Sequence, residues 1–148
     1  MGSDQSVFIL LADDDQDDCL LVEDAMEELE IPFQLHCVQN GQELIEYLSE
    51  SDNPKPDFVL LDLDMPMKHG LECLDEIRND LGLNSLPIVI YSTHSQRETV
   101  KNAYLKKAQY YLKKPNSFSS LVNALRIVLE TDWTEVTQPD EEHFFIVS

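Results

Sequence analysis

The chain has 148 residues, 43% of them hydrophobic, which is enough to cover one core, so a single domain is expected rather than two. Its 29 acidic and 10 basic side chains give a formal charge of −19, which argues against nucleic-acid phosphates or anionic lipid as partners and favours a divalent cation. Most of these carboxylates, Glu27, Glu28, Glu30 and Glu50 among them, read as solvated helix faces.

Cys19, Cys37 and Cys73 form an odd set with no CxxC spacing and lie inside apolar patterns. They are expected to be reduced packing residues, with neither a disulfide frame nor a zinc site. The N-terminus lacks the basic and long apolar regions of a signal peptide, and no window reaches the roughly 18 apolar residues of a membrane span. The expectation is therefore a soluble, cytoplasmic chain.

Short apolar runs alternate with helical patterns along the sequence, the arrangement of βα units on a parallel sheet. VFILLA, from Val7 to Ala12, is a continuous apolar run stopped by acids, as expected for a strand covered on both faces. Asp15 to Leu29 places Leu21, Ala25 and Leu29 four apart, with Val22 and Met26 beside them, which predicts an amphipathic helix. Phe33 to Gln39 alternates and suits a strand near the sheet edge, and Asn40-Gly41 turns the chain into a helix from Gln42 to Leu48.

The polar stretch Ser49 to Pro56 reads as loop. Strands are predicted over Asp57 to Leu61, Ile88 to Tyr91 and Tyr110 to Lys113, and helices over Leu71 to Asn79, Gln96 to Lys106 and Ser117 to Glu130. Five strands and five helices in alternation predict an α/β fold, an open doubly wound parallel sheet with its site at the carboxyl ends of the strands.

Those ends carry polar residues. Asp13, Asp14 and Asp15 follow the first strand, Asp62 and Asp64 the third, Ser92 and Thr93 the fourth, and Lys114 the fifth. Two carboxylates about 4 Å apart repel by roughly 4 kcal/mol at an effective dielectric near 20, so such a cluster must protonate or bind a cation. Hard oxygen ligands suit Mg²⁺ or Mn²⁺. A carboxylate beside such an ion can act as a nucleophile toward phosphorus, with Lys114 and the Ser92 hydroxyl neutralising other phosphoryl oxygens. Taken singly, each of these residues has a plainer reading, as a helix cap or a surface group.

Together they resemble the receiver domain of two-component response regulators over Val7 to Leu129. ILLADDDQDD is similar to that family's first strand and acidic pair, which implies metal binding at Asp13 and Asp14. PDFVLLDLDMPMKHG is similar to its phosphoacceptor strand and loop, which implies that Asp62 is phosphorylated and that the Asp64 backbone carbonyl joins the metal site; Pro66 and Gly70 match the loop. LPIVIYST puts Ser92 at the switching hydroxyl. YYLKKP puts Lys114 at the family's lysine, Pro115 after it in a cis peptide, and Tyr111 at the rotating aromatic.

The resemblance implies a flavodoxin-like five-stranded parallel sheet in the order 2-1-3-4-5. It also implies Mg²⁺- or Mn²⁺-dependent transfer from a histidine kinase or phosphorelay protein to Asp62. Phosphorylation would draw in Ser92, let Tyr111 move, and change the surface of the fourth helix, fifth strand and fifth helix. Without the motif, Tyr111 reads as an aromatic packed at the sheet edge in every state.

The sequence departs from the family pattern in two places. His69 replaces a usual Asp, a change expected to alter only a loop surface. Lys107 and Tyr110 stand where relatives carry glycine, and lysine is a poor left-handed cap, so the loop after the fourth helix is expected to be rearranged or strained.

Residues 5–131 are expected to form the domain and 132–148 an extension. The 18 residues after Glu130 leave no room for a second domain, so output is expected to pass through another molecule, a downstream protein target. WTEVTQP, from Trp133 to Pro139, resembles the extension of stand-alone regulators partnering bacterial phytochromes, which implies a homodimer through the fourth- and fifth-helix face. HFFIVS is too apolar for an idle tail and is expected to dock on a groove or a strand edge.

Three other readings compete. In an EF-hand loop Asp13, Asp15 and Asp17 would be ligands, but Asp18 falls where glycine is needed and Asp24 where a bidentate Glu belongs. A haloacid-dehalogenase-type phosphatase would use Asp62 and Asp64, but its DxD motif normally ends the first strand. A phosphorylation-independent pseudo-receiver is opposed by the intact set Asp13, Asp14, Asp62, Ser92 and Lys114.

Overall fold

The computed structural model describes residues 6–131 and 138–146. In chain order these form β1 (Val7–Ala12), α1 (Gln16–Glu28), β2 (Phe33–Val38), α2 (Gly41–Ser49), β3 (Phe58–Leu61) and α3 (Gly70–Asp75), which runs into a π-helical turn (Glu76–Asp80). Then follow β4 (Ile88–Ser92), α4 (Arg97–Leu105), β5 (Tyr110–Lys113), α5 (Phe118–Glu130), α6 (Glu141–Phe144) and β6 (Phe145–Ile146).

The sheet order is β2-β1-β3-β4-β5-β6, with every pair parallel. The flavodoxin-like order is as expected, with β6 added beyond β5. The expected edge docking of HFFIVS takes this form: Phe145 pairs with Tyr111 and Ile146 with Leu112. The segment 132–137, which holds most of the WTEVTQP stretch, lies outside the described residues.

Strand side chains alternate between two layers, because a strand's period is 2. Leu10, Val59, Leu61, Ile88, Ile90 and Tyr111 face α2, α3 and α4. Ile9, Leu11, Phe58, Leu60, Val89 and Leu112 face α1 and α5. All of these are fully buried, each worth roughly 1.5–3 kcal/mol if aliphatic.

The starts of α1, α2, α3, α5 and α6 are fixed by side-chain caps, while α4 has none. Asp15 caps α1, its Oδ1 accepting from Asp17 N at 2.9 Å, and Asp17 and Asp18 place negative charge at the positive helix end. His69 is more than a loop-surface variant: its Nδ1 accepts from Leu71 N at 3.1 Å, and Glu72 Oε1 accepts from His69 N at 3.3 Å, which makes a capping box for α3.

Two further expectations are corrected. Cys19 on α1 and Cys37 on β2 are joined by a disulfide, with Cα atoms 6.6 Å apart. The crossover from β1 through α1 lays residue 19 against β2, a proximity that linear spacing cannot reveal. The described residues contain no cis peptide bond, so the Lys114–Pro115 bond is trans.

Of the strain or rearrangement expected after α4, the structure shows the strain, in a lysine at a left-handed cap, on an ordinary cap path. Lys107 has φ 73° and ends α4 in a Schellman arrangement, with Ala108 N donating to Ala103 O at 3.1 Å and Lys107 N to Tyr104 O at 3.0 Å. The buried Arg78 steadies it: Nη2 and Nε donate to Lys107 O at 2.8 and 3.2 Å, and Nη1 to Leu83 O and Leu86 O at 2.6 and 2.7 Å. Gln109 Oε1 accepts from both Arg78 Nη2 and Ile88 N, at 2.9 and 2.7 Å.

Candidate functional site

The parallel ladders continue one residue past the strands and fix the rim. Asp13 N donates to Val38 O at 3.0 Å, Asp62 N to Ala12 O at 2.9 Å, and Lys114 N to Ser92 O at 2.8 Å. Asp13 and Asp62 therefore project from the adjacent ends of β1 and β3, and Lys114 from the end of β5 on the far side of β4, into one hollow. Gly70 makes room for the loop beside it: a Cβ there would stand 2.5 Å from Asp62 O and 2.7 Å from Leu63 Cα.

Carboxylate oxygens of Asp13, Asp14 and Asp62 lie within 4.8 Å of one another. Asp13 and Asp62 are buried and Asp14 is exposed, so the hollow opens on the Asp14 side. Burial pushes the Asp13 carboxyl up to about 7 against the pull of Lys114 and the Asp15 backbone, and pushes Asp62 upward as well despite Lys114. Two raised carboxyls beside an exposed third are an all-oxygen donor set short of positive charge, and that chemistry fits Mg²⁺ or Mn²⁺.

Lys114 supplies the one ammonium in the hollow among the described residues. Its Nζ donates to Asp18 Oδ2 at 2.7 Å and to Asp13 Oδ2 at 2.9 Å, and lies 3.7 Å from Asp62 Oδ2. Burial works against its charge, but the bonds to Asp18 and Asp13 outweigh this and raise its pKa above the ordinary lysine value. Sequence reasoning missed Asp18 as a partner of Lys114. The available signal was its place one turn after the Asp15 cap, at the end of α1 that overlooks the rim.

Ser92 is fully buried at the end of β4, its Oγ accepting from His94 N at 3.1 Å. The Tyr111 hydroxyl donates to His94 O at 2.6 Å, so both candidate switch residues hold the β4–α4 loop. Tyr111 is fully buried, its ring 6.3 Å from that of Phe144 and 5.7 Å from that of Phe145. The half-exposed Asp64 carboxylate pairs with His94 Nε2 and lies 3.9 Å from His69 Nε2. Asp13, Asp14, Asp62, Asp64, Ser92 and Lys114 thus lie at or next to one rim, and Tyr111 reaches it through the β4–α4 loop.

Three comparisons bear on this geometry. The family model described as response regulator receiver domain matches residues 9–126. The response regulator Rcp1 of Synechocystis sp. (strain ATCC 27184 / PCC 6803 / Kazusa) is 29% identical over 136 residues, covering 88% of this chain and 92% of that protein. Among solved structures, the phosphorylated cyanobacterial phytochrome response regulator RcpA is 28% identical with a TM-score of 0.78, covering 92% of this chain and all of that one. The Mn²⁺-bound form of Rcp1 is 27% identical with a TM-score of 0.76, covering 90% of this chain and 99% of that one.

Proposed function

We propose, from the premise that this chain belongs to the response regulator receiver domain family, that Asp62 is its phosphoacceptor and that Asp13, Asp14, Asp62 and the Asp64 backbone carbonyl hold Mg²⁺ or Mn²⁺. The observation that carries the reading is the convergence of Asp13, Asp14 and Asp62 with Lys114 at one strand-end hollow. The Mn²⁺-bound form of the related Rcp1 supports the choice of metal. When bound, the ion supplies positive charge for the oxygens of the transferring phosphoryl group.

The chain's own residues do the rest. An Asp62 carboxylate oxygen forms the new bond to phosphorus as the bond to the donor nitrogen of a kinase or phosphotransfer-protein histidine breaks, and the imidazole keeps the electron pair. Lys114 is within reach of Asp62 and neutralises a phosphoryl oxygen. Ser92 Oγ turns from the His94 amide to donate to another, which loosens the β4–α4 loop that Tyr111 also holds. The exposed apolar side chains of Leu20, Leu21, Met67 and Phe118, on elements that rim the hollow, offer a contact surface for the donor protein.

In this reading the chain is a cytoplasmic signalling domain that assists its own phosphorylation and dephosphorylation, with the receiver over residues 5–131 and an extension over 132–148. It passes its signal to a protein target, and the similarity to RcpA supports a phytochrome kinase as the upstream partner. A homodimer through α4, β5 and α5 belongs to the same proposal. Phe145 and Ile146 cover the β5 edge of that face, so a second copy would meet them in place of β5 there.

Turnover distinguishes a receiver from a phosphatase. With acetyl phosphate and Mg²⁺ the protein should take up one phosphoryl group in a single turnover, with no sustained hydrolysis of a generic phosphomonoester. Steady turnover that survives Lys114→Ala would overturn the proposal.

A further inference from the structure

The Cys19–Cys37 disulfide ties together the two elements that position the acidic hollow. Cys19 directly follows Asp18, whose carboxylate holds Lys114 at 2.7 Å. Cys37 directly precedes Val38, whose carbonyl accepts from Asp13 N at 3.0 Å. Both cysteines are half-buried rather than enclosed. Cys73 is fully buried, and burial pushes its thiol up to about 11, so it stays out of the exchange.

We infer that Cys19 and Cys37 form a reversible thiol–disulfide switch that sets how firmly Asp18 holds Lys114, and so how readily Asp62 takes a phosphoryl group. The inference rests on the phosphoacceptor reading above. A disulfide in a protein of the reducing cytoplasm is characteristically a transient or sensing one. With the bond closed, the first turn of α1 is fixed to β2, and Asp18 and Asp13 together draw the ammonium away from Asp62. With the bond open, the start of α1 keeps its Asp15 cap and its packing but loses its covalent tie to β2, so Asp18 grips Lys114 less firmly and the ammonium is freer to meet the incoming phosphoryl group.

Closure proceeds by exchange with a low-molecular-weight disulfide. One cysteine thiolate attacks a sulfur of that disulfide and expels one thiolate. The second cysteine thiolate then attacks the protein sulfur of the mixed disulfide and expels the other. The protein loses two protons and two electrons, and the small disulfide leaves as two thiols; a reducing thiol reverses the sequence.

The test equilibrates the full chain, its Cys19→Ser variant and its Cys37→Ser variant in glutathione and oxidised-glutathione buffers. Free thiols are counted by alkylation and intact mass, the rate of labelling by acetyl phosphate with Mg²⁺ is measured, and Mg²⁺ is titrated calorimetrically. The expected results are a bond that opens and closes across the glutathione range, labelling at least threefold faster in the reduced wild type, and no redox difference in either serine variant.

A bond that never forms, one that glutathione cannot open, equal wild-type rates in both states, or a redox difference surviving in both variants would overturn the switch. If neither state labels, the phosphoacceptor reading fails and the Mg²⁺ titration decides. A threefold or larger redox difference in affinity, absent from the variants, upholds the switch, and equal affinities overturn it.

Discussion

Lys114 Nζ sits 2.7 Å from Asp18 Oδ2, a full ångström nearer than the 3.7 Å that separates it from Asp62 Oδ2. The Asp18→Asn variant should weaken this hold, at a stability cost of roughly 2 kcal/mol, while speeding acetyl-phosphate labelling about threefold. The opposite signs separate a restraining partner from a merely structural one. Slower labelling in this variant would mean that Asp18 positions Lys114 productively.

Asp13 gives the site a pH dependence. Its folded value of about 7 lies above the 3.8 of an ordinary aspartate, because burial disfavours the carboxylate, so the fold favours the protonated form. The stability it contributes is fully present below about pH 4 and is lost as pH rises through 7, with a ceiling of about 4 kcal/mol. Metal-free protein should therefore lose urea resistance between pH 5 and pH 8, and Mg²⁺ should restore it at pH 8 far more than at pH 5. Metal-free stability that climbs over this interval would contradict the assignment.

Lys107 carries a side chain at φ 73°, where glycine is free of strain. Lys107→Gly should stabilise the protein by roughly 1 kcal/mol in chemical denaturation. Arg78→Leu should cost roughly 3 kcal/mol or more, because the carbonyls of Lys107, Leu83 and Leu86 and the Gln109 amide oxygen all lose their guanidinium donor.

Phe144 is fully buried and edge-on to Tyr104 at 5.1 Å, which anchors the C-terminal segment over α4 and β5. Gln138 Nε2 adds bonds to Tyr104 O and Ala108 O at 2.6 and 2.7 Å. Phe144→Ala should lower stability by about 3 kcal/mol. Amide exchange at Phe145 and Ile146 should accelerate with it, and unchanged protection there would show that the strand docks without its aromatic anchor.

Much of this molecule was legible from periodicity. The apolar runs of β1, β3 and β4 are buried on both faces and end in Asp13, Asp62 and Ser92, so strand ends alone located the rim. The family pattern added roles for Asp14, Lys114 and Tyr111. What stayed hidden depends on contacts between segments distant in the chain. Asp18 reaches Lys114 across 96 positions, Arg78 reaches Lys107 across 29, and Cys19 meets Cys37 only because the crossover helix folds back on its sheet. His69 was misjudged for another reason: histidine is an uncommon cap, so its role shows only once the start of α3 is known.

The most direct measurement is intact-mass spectrometry after treatment with acetyl phosphate and Mg²⁺. The wild-type chain should gain one phosphoryl mass that chelation of Mg²⁺ prevents, and Asp62→Asn should gain none. Equal uptake by Asp62→Asn, or none by the wild type while other receivers label under the same conditions, would contradict the account.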